Sequence, residues 1–333
     1  MKKKLLLLML ALMAMTTAHA QSEVWSVRLD DASTGTKKQE VIKVVRTELG
    51  LVLKDAYDLV MSAPCILLQD VTLETANDFA TKLRDAGATV TVGIEIGETK
   101  FPDGNFRSYL SAQDYGSDGM LTEAEIAAVT NIDVRGESIK DLTGIEHFTA
   151  LTELWCYNNQ LTSLDVSKNT ALTNLQCSYN QLTSLDVSQN TALKELYCHY
   201  NQLTALDVSK NTALTTLYCY SNQIKGTAMQ ALVNSLPKVT SGDFYVIDTN
   251  DSNEQNVITK AQVKIATDKS WKVYDYNGGS KKEYAGSEET AIGSIEVSLD
   301  EKGRYYSLDG KHIKGVPTQK GVYIHNGKKV MVK

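Results

Sequence analysis

From Leu151 onward the chain repeats itself every 21 residues. The units are LTELWCYNNQLTSLDVSKNTA from Leu151, LTNLQCSYNQLTSLDVSQNTA from Leu172, LKELYCHYNQLTALDVSKNTA from Leu193 and LTTLYCYSNQI from Leu214. Each fits L-x-x-L-x-C-x-x-N-x-L, and matches in unbroken register exclude coincidence. A divergent unit precedes them, with Ile132, Val134, Ile139, Leu142, Ile145 and Phe148 at similar spacing. One unit is too small to bury its own apolar positions, so neighbours must stack and bury them together. A strand such as Leu154-Trp155-Cys156 alternates, which sends Leu154 and Cys156 inward and Trp155 and Tyr157 outward. Stacking then gives four parallel strands, with Leu154, Leu175, Leu196 and Leu217 in one column and Leu164, Leu185 and Leu206 in another. Asn159, Asn180, Asn201 and Asn222 stand where the chain leaves each strand, where their amides can satisfy loop backbone groups. Asp165 to Thr170 has few helix formers, so the opposite side of the solenoid should be thin.

The pattern is the leucine-rich-repeat signature with cysteine in the third apolar slot, and the chain resembles secreted bacterial leucine-rich-repeat proteins of the internalin-like type. The implied fold class is α/β: a parallel-sheet solenoid over 131–277, with enlarged C-terminal cap repeats, behind a small α+β domain and ahead of a short β tail. Cys156, Cys177, Cys198 and Cys219 read as small buried hydrophobes. Parallel register strains a disulfide between them, and single thiols on successive strands lack the short-loop spacing of zinc ligands. Function is expected on the outward positions of the concave sheet: Trp155, Tyr157, Tyr197, His199, Tyr218 and Tyr220. Tyrosine and tryptophan concentrated on one face are residues of binding hot spots, and aromatic platforms also suit sugar rings. The competing reading is a cross-strand ladder that only stiffens the sheet.

Residues 24–93 carry a different pattern. Strand-like WSVRL leads to two amphipathic helices, the second stopped by Pro64, then to CILLQDV, a helix from Leu73 capped by Thr72, and a closing strand after Gly87. VIKVVRTELGLVLKDAYDLVMSAP and KLRDAGATVTV resemble the C-terminal domain of the bacterial ribosomal stalk protein. The family uses basic residues on the helical hairpin to recruit translation factors, and the matching positions are Lys43, Arg46 and Lys54. Val52 replaces a glycine and Tyr57 a lysine of the family motif. The expectation carried over is the fold, with neither ribosome nor translation factors as partners.

Residues 100–130 contain an EF-hand-like, dockerin-like loop, with Asp114, Asp118, Gly119, Leu121 and Glu125 at positions 1, 5, 6, 8 and 12. Oxygens would come from Asp114, Asp118, the Met120 carbonyl and Glu125, while Gly116 leaves position 3 empty. Calcium, if held, would bind weakly, at about 10⁻⁴–10⁻³ M; the alternative is a helical cap that seals the solenoid. No other cofactor is expected. The tail, 292–333, has turn pairs Asp309-Gly310 and Asn326-Gly327 between alternating segments and reads as β-hairpins. It resembles the short conserved tails of secreted proteins of Gram-negative anaerobes, some of which are sorting signals; a plain β appendage is the alternative.

Residues 1–20 read as an export signal: Lys2 to Lys4, the apolar run Leu5–Met15, then Ala18-His19-Ala20. No segment is long and apolar enough to span a bilayer. Removing the signal leaves 34 − 3 = 31 basic against 40 acidic residues, a balance that disfavours nucleic acid. None of the histidines stands in a metalloprotease or triad motif. Glu153 and Glu195 both face outward but on separate strands, where solvated charge is the ordinary outcome, so an enzyme is not expected. The reading is an exported protein, periplasmic, cell-surface or secreted, that binds an extracellular protein or glycan on its aromatic face. The alternative is an envelope scaffold with no ligand there.

Overall fold

The computed structural model describes residues 24–288 and, in the tail, 305–307, 310–313, 321–325 and 328–332. The export signal, Asp309 and the Asn326-Gly327 pair lie outside the described residues. The chain divides after Gly286 into two compact units.

The first unit opens with β1 (Trp25–Asp31), α1 (Thr36–Glu48), α2 (Leu53–Met61), β2 (Cys65–Val71), α3 (Leu73–Asp85) and β3 (Thr89–Glu95). β1 lies between β2 and β3, antiparallel to both. The alternation of β1 buries Val27 and Leu29 against Val41, Val45, Val60, Phe79 and Leu83 from the three helices. Thr72 caps α3, its hydroxyl accepting the Thr75 N–H at 3.2 Å. β3 also pairs with β4 (Met120–Leu121), after the short helix α4 (Gly104–Ala112). Through β4 this sheet leads into α5 (Glu123–Ala128) and the solenoid.

The solenoid sheet runs in chain order: β5 (Asn131–Asp133), β6 (Glu153–Trp155), β7 (Asn174–Gln176), β8 (Glu195–Tyr197), β9 (Thr216–Tyr218), β10 (Gly242–Ile247) and β11 (Trp271–Asp275), all parallel. Antiparallel β12 (Lys282–Glu283) closes the far edge. Pairing has zero stagger, with Leu154, Leu175, Leu196, Leu217 and then Phe244 in one row. That row and the four cysteines beside it are fully buried, as the inward alternation requires. α6 (Gly226–Ser235) and α7 (Lys260–Thr267) thicken only the last two turns. The fold class is therefore α/β with a parallel-sheet solenoid.

Asparagine side chains hold the turns in register. Asn180 Oδ1 accepts the Leu161 N–H at 3.0 Å, and its Nδ2 donates to the carbonyls of Cys156 and Cys177. Asn201 and Asn222 repeat this, and Asn256, after β10, extends the column. A second asparagine column, Asn169, Asn190 and Asn211, ties the opposite side; Asn190 Nδ2 donates to the Val166 and Asn169 carbonyls, both at 2.9 Å.

In the tail, β13 (Tyr305–Tyr306), β14 (His312–Ile313), β15 (Gly321–His325) and β16 (Lys328–Val332) form an antiparallel sheet of order β14-β13-β15-β16.

Candidate functional site: an aromatic face on the parallel sheet

Alternation places Trp155, Tyr157, Tyr197, His199 and Tyr218 on the sheet face opposite the leucine row, each half-buried. Tyr220 departs from the expected exposure, with 1% of its surface accessible. It is sandwiched between His199 and Tyr276, with centroids 4.6 Å away on each side. It supports the face and is not itself open to a ligand.

The predicted residues form two groups. Trp155 and Tyr157 gather around Arg135, whose guanidinium lies 5.1 Å from the indole centroid and 5.8 Å from the phenol centroid. Arg135 also donates to the Tyr157 hydroxyl at 2.9 Å and pairs with Asp133 at 2.8 Å. The next turn is polar, with Asn174, Gln176 and Ser178 at the equivalent positions.

Beyond that turn the rings form one continuous array. Tyr197 meets Tyr218 at 4.8 Å, Tyr218 stacks on Tyr245 at 3.9 Å, and Tyr245 stacks on Tyr274 at 4.9 Å. On the side where the chain leaves the strands, Tyr179 stacks on Tyr200 at 4.3 Å and meets His199 edge-on at 5.5 Å. Sequence reasoning missed Tyr179, Tyr200, Tyr245, Tyr274 and Tyr276. Tyr179 and Tyr200 share a turn position with Asn158 and Ser221, and all four are left-handed, with φ between 50° and 57°. Asparagine tolerates that region, whereas a bulky side chain there costs about 1–2 kcal/mol. Two successive turns nevertheless carry tyrosine, and Tyr179 is 47% exposed.

The face is electrostatically quiet at its centre. Burial lowers the His199 pKa to about 4, so the imidazole is neutral at ordinary pH. Its Nδ1 is buried without a hydrogen-bond partner among the described residues. Burial also pushes the Tyr197 and Tyr200 hydroxyls up to about 12, and raises those of Tyr218 and Tyr220. Cations sit at the two ends: Arg135 at one, and at the other Lys281, with Nζ 4.0 Å from the Tyr274 centroid and 3.2 Å from an Asp243 carboxylate oxygen. The two outward glutamates are engaged singly. Glu153 accepts from Asn131, and Glu195 accepts from Asn174 and the Tyr197 hydroxyl.

The calcium expectation does not fit the loop. Arg28 reaches it from β1 and binds Asp118 twice, Nη2 to the carboxylate and Nη1 to the carbonyl, both at 2.7 Å. Although burial opposes ionisation, the bonds from Arg28 and the Met120 N–H hold the Asp118 carboxyl below its ordinary pKa. Glu125 is turned inward as the capping box of α5, accepting from the Thr122 N–H at 2.8 Å and hydroxyl at 2.7 Å. At position 3 no liganding side chain could replace Gly116, because a Cβ there would collide with the Leu110 carbonyl. Asp114 and the Met120 carbonyl alone are too few donors for calcium. Among the described residues no cluster of His, Cys, Asp or Glu could hold a metal ion.

On the helical hairpin of the first domain, Lys43, Arg46 and Lys54 are exposed. So are Val52 and Tyr57, the two departures from the family motif, together with Leu53 and Met61. No described helix is long and apolar enough to cross a membrane.

The family model for the ribosomal protein L7/L12 C-terminal domain matches residues 25–93. The large ribosomal subunit protein bL12 of Lactobacillus gasseri is 47% identical over 75 residues, 22% of this chain and 61% of that protein. Internalin J of Listeria monocytogenes serotype 4b is 39% identical over 106 residues, 30% of this chain and 11% of internalin J. The chain thus spans less than two thirds of either relative. Among solved structures, the functional domain of InlJ from Listeria monocytogenes, described as including a cysteine ladder, matches with 30% identity. That match covers 54% of this chain and 46% of the other, at a TM-score of 0.30. The in-register stack of L-x-x-L-x-C-x-x-N units is a leucine-rich-repeat solenoid similar in sequence to internalin J, and residues 25–93 match the family of the ribosomal L7/L12 C-terminal domain.

Proposed function

We propose that the chain is an exported binding protein whose tyrosine array grips a protein outside the cell. The observation that carries this reading is the array itself: tyrosines from five successive turns converge on one sheet face, two of them at backbone positions that disfavour them. Tyrosine supplies large contact area at low conformational cost, with a hydroxyl at the tip, and so dominates protein hot spots. A protein partner is favoured over a glycan because most ring faces of the array are already taken. Tyr218 is stacked on Tyr245 and Tyr220 on Tyr276, and Arg135 lies over the Trp155 indole. A sugar stacks on a free ring face.

The test presents wild type, Tyr179→Ala/Tyr218→Ala and Trp155→Ala to parallel arrays of extracellular proteins and glycans, each variant first checked for native circular dichroism. A protein ligand should bind wild type and lose about thirtyfold or more in the double variant, the scale of a hot-spot truncation. Equal binding by all three would leave the scaffold reading in place, and capture confined to glycans would replace the protein partner by a sugar.

A further inference from the structure

The ends of the aromatic face share one composition. At the first, a ring pair (Trp155, Tyr157), an aspartate (Asp133) and a cation (Arg135) come together, with the ion pair at 2.8 Å and the cation over both rings. At the other, the rings are Tyr245 and Tyr274, the aspartate is Asp243 and the cation is Lys281, with the ion pair at 3.2 Å and Nζ 5.3 and 4.0 Å from the two centroids. A cation over an aromatic face is attracted by the ring quadrupole, and an adjacent carboxylate adds to that attraction.

A third cluster has the rings and the carboxylate without the cation. Tyr179 and Tyr200 are stacked at 4.3 Å on successive turns, and Ser221 takes the same position on the next turn. The Ser221 hydroxyl donates to Asp251 Oδ2 at 2.6 Å, which sets that carboxylate beside Tyr200 in the same column. Asp251 uses its other oxygen for the Asn253 N–H at 2.9 Å, and it has no ion-pair partner among the described residues. No lysine or arginine of the described residues lies over Tyr179, Tyr200 or Tyr276. Burial first, and then neighbouring phenols and the charges of Asp248 and Asp251, raise the hydroxyl pKa values of Tyr179 and Tyr200. Tyr179 closes the stack and is the most exposed of these rings.

We infer that the partner supplies the missing cation, an arginine or lysine side chain laid against Tyr179 and Tyr200 beside Asp251. This rests on the protein-binding reading and narrows it to a partner with a basic contact residue. The cation completes the composition that the chain builds for itself at the two ends.

The probe is N-acetylarginine methylamide, with the isosteric, uncharged N-acetylcitrulline methylamide as its control. Both are titrated into the full chain while the tyrosine ring signals are followed by NMR. The arginine probe should shift the Tyr179 and Tyr200 signals saturably and bind about two- to thirtyfold more tightly than the citrulline probe, the range of a cation–π contact. Asp251→Asn keeps the acceptor for Ser221 and should narrow that gap. Tyr179→Leu, with native circular dichroism, should remove the response. Equal binding of the two probes, an undiminished gap in Asp251→Asn, or no response at the solubility limit would overturn the inference. A protein captured through Tyr218 without any arginine response would overturn it while leaving the protein-binding reading intact.

Discussion

Replacing Asn180 by alanine should destabilise the solenoid by about 2–4 kcal/mol, although the side chain touches no ligand. Asn180 makes four hydrogen bonds: it accepts from the Leu161 N–H and donates to the carbonyls of Cys156, Cys177 and Ser178. The four are not lost equally. The Cys156 carbonyl keeps Asn159 Nδ2 at 3.1 Å, the Cys177 carbonyl keeps Asn201 Nδ2 at 3.0 Å, and the Ser178 carbonyl keeps the Asn158 N–H at 3.1 Å. Only the buried Leu161 N–H is orphaned, at about 1–3 kcal/mol, and the shared bonds add roughly 1 kcal/mol more. The assay is equilibrium urea unfolding read by far-UV circular dichroism. Gln181→Ala is the control, since that residue is the exposed neighbour and should change stability by less than about 0.5 kcal/mol. A loss in Asn180→Ala no larger than in the control would refute the view that asparagine amides hold successive turns in register.

Three further outcomes follow from burial and charge. The folded pKa of His199 is about 4, below its ordinary 6.5, so the unfolded chain takes up the proton first. Its stabilising contribution is complete above pH 6.5 and lost as pH falls towards 4; His199→Gln should flatten that slope in urea midpoints, and an imidazole titrating near 6.5 by NMR would contradict it. Burial pushes the Cys177 thiol up to about 12 and raises those of Cys156, Cys198 and Cys219, so at pH 8 a thiol reagent should label the half-buried Cys65 first and the column only on unfolding. Prompt labelling of all five cysteines would show that the column is not sealed. Millimolar calcium should leave the melting temperature unchanged, because Arg28 holds Asp118 and Glu125 caps α5; a calcium-dependent rise would mean that both carboxylates can be released.

Periodicity made the solenoid legible. The row of Leu154, Leu175, Leu196 and Leu217 and the column of Asn159 to Asn222 follow from one repeat unit, because zero stagger converts a spacing in sequence into contact in space. The site was legible only where it shared that period. Tyr179 and Tyr200 occupy a position that varies from turn to turn and is Asn158 or Ser221 elsewhere, so a repeat template treats it as empty of meaning. Tyr245, Tyr274 and Tyr276 enter the array from turns lengthened by α6 and α7, where the 21-residue spacing is broken. Their presence also explains Tyr220, since the ring that covers it, Tyr276, lies 56 residues further on. The calcium-like loop fails for the same reason: its pattern is local, while Arg28 comes from 90 residues away.

Zero stagger also makes the distance across the face adjustable in whole steps. Tandem duplication of residues 172–192 would insert one more turn whose outward strand side chains, Asn174, Gln176 and Ser178, are polar and which adds one further ring at the Tyr179 position, and every strand pair on either side of it would keep its partners. Arg135, Trp155 and Tyr157 would then move away from Tyr197 and Tyr218 by one strand spacing, about 4.8 Å. Two contact patches could thus be fitted to partners of different width by gene duplication, each added turn also lengthening the Tyr179–Tyr200 stack by one ring.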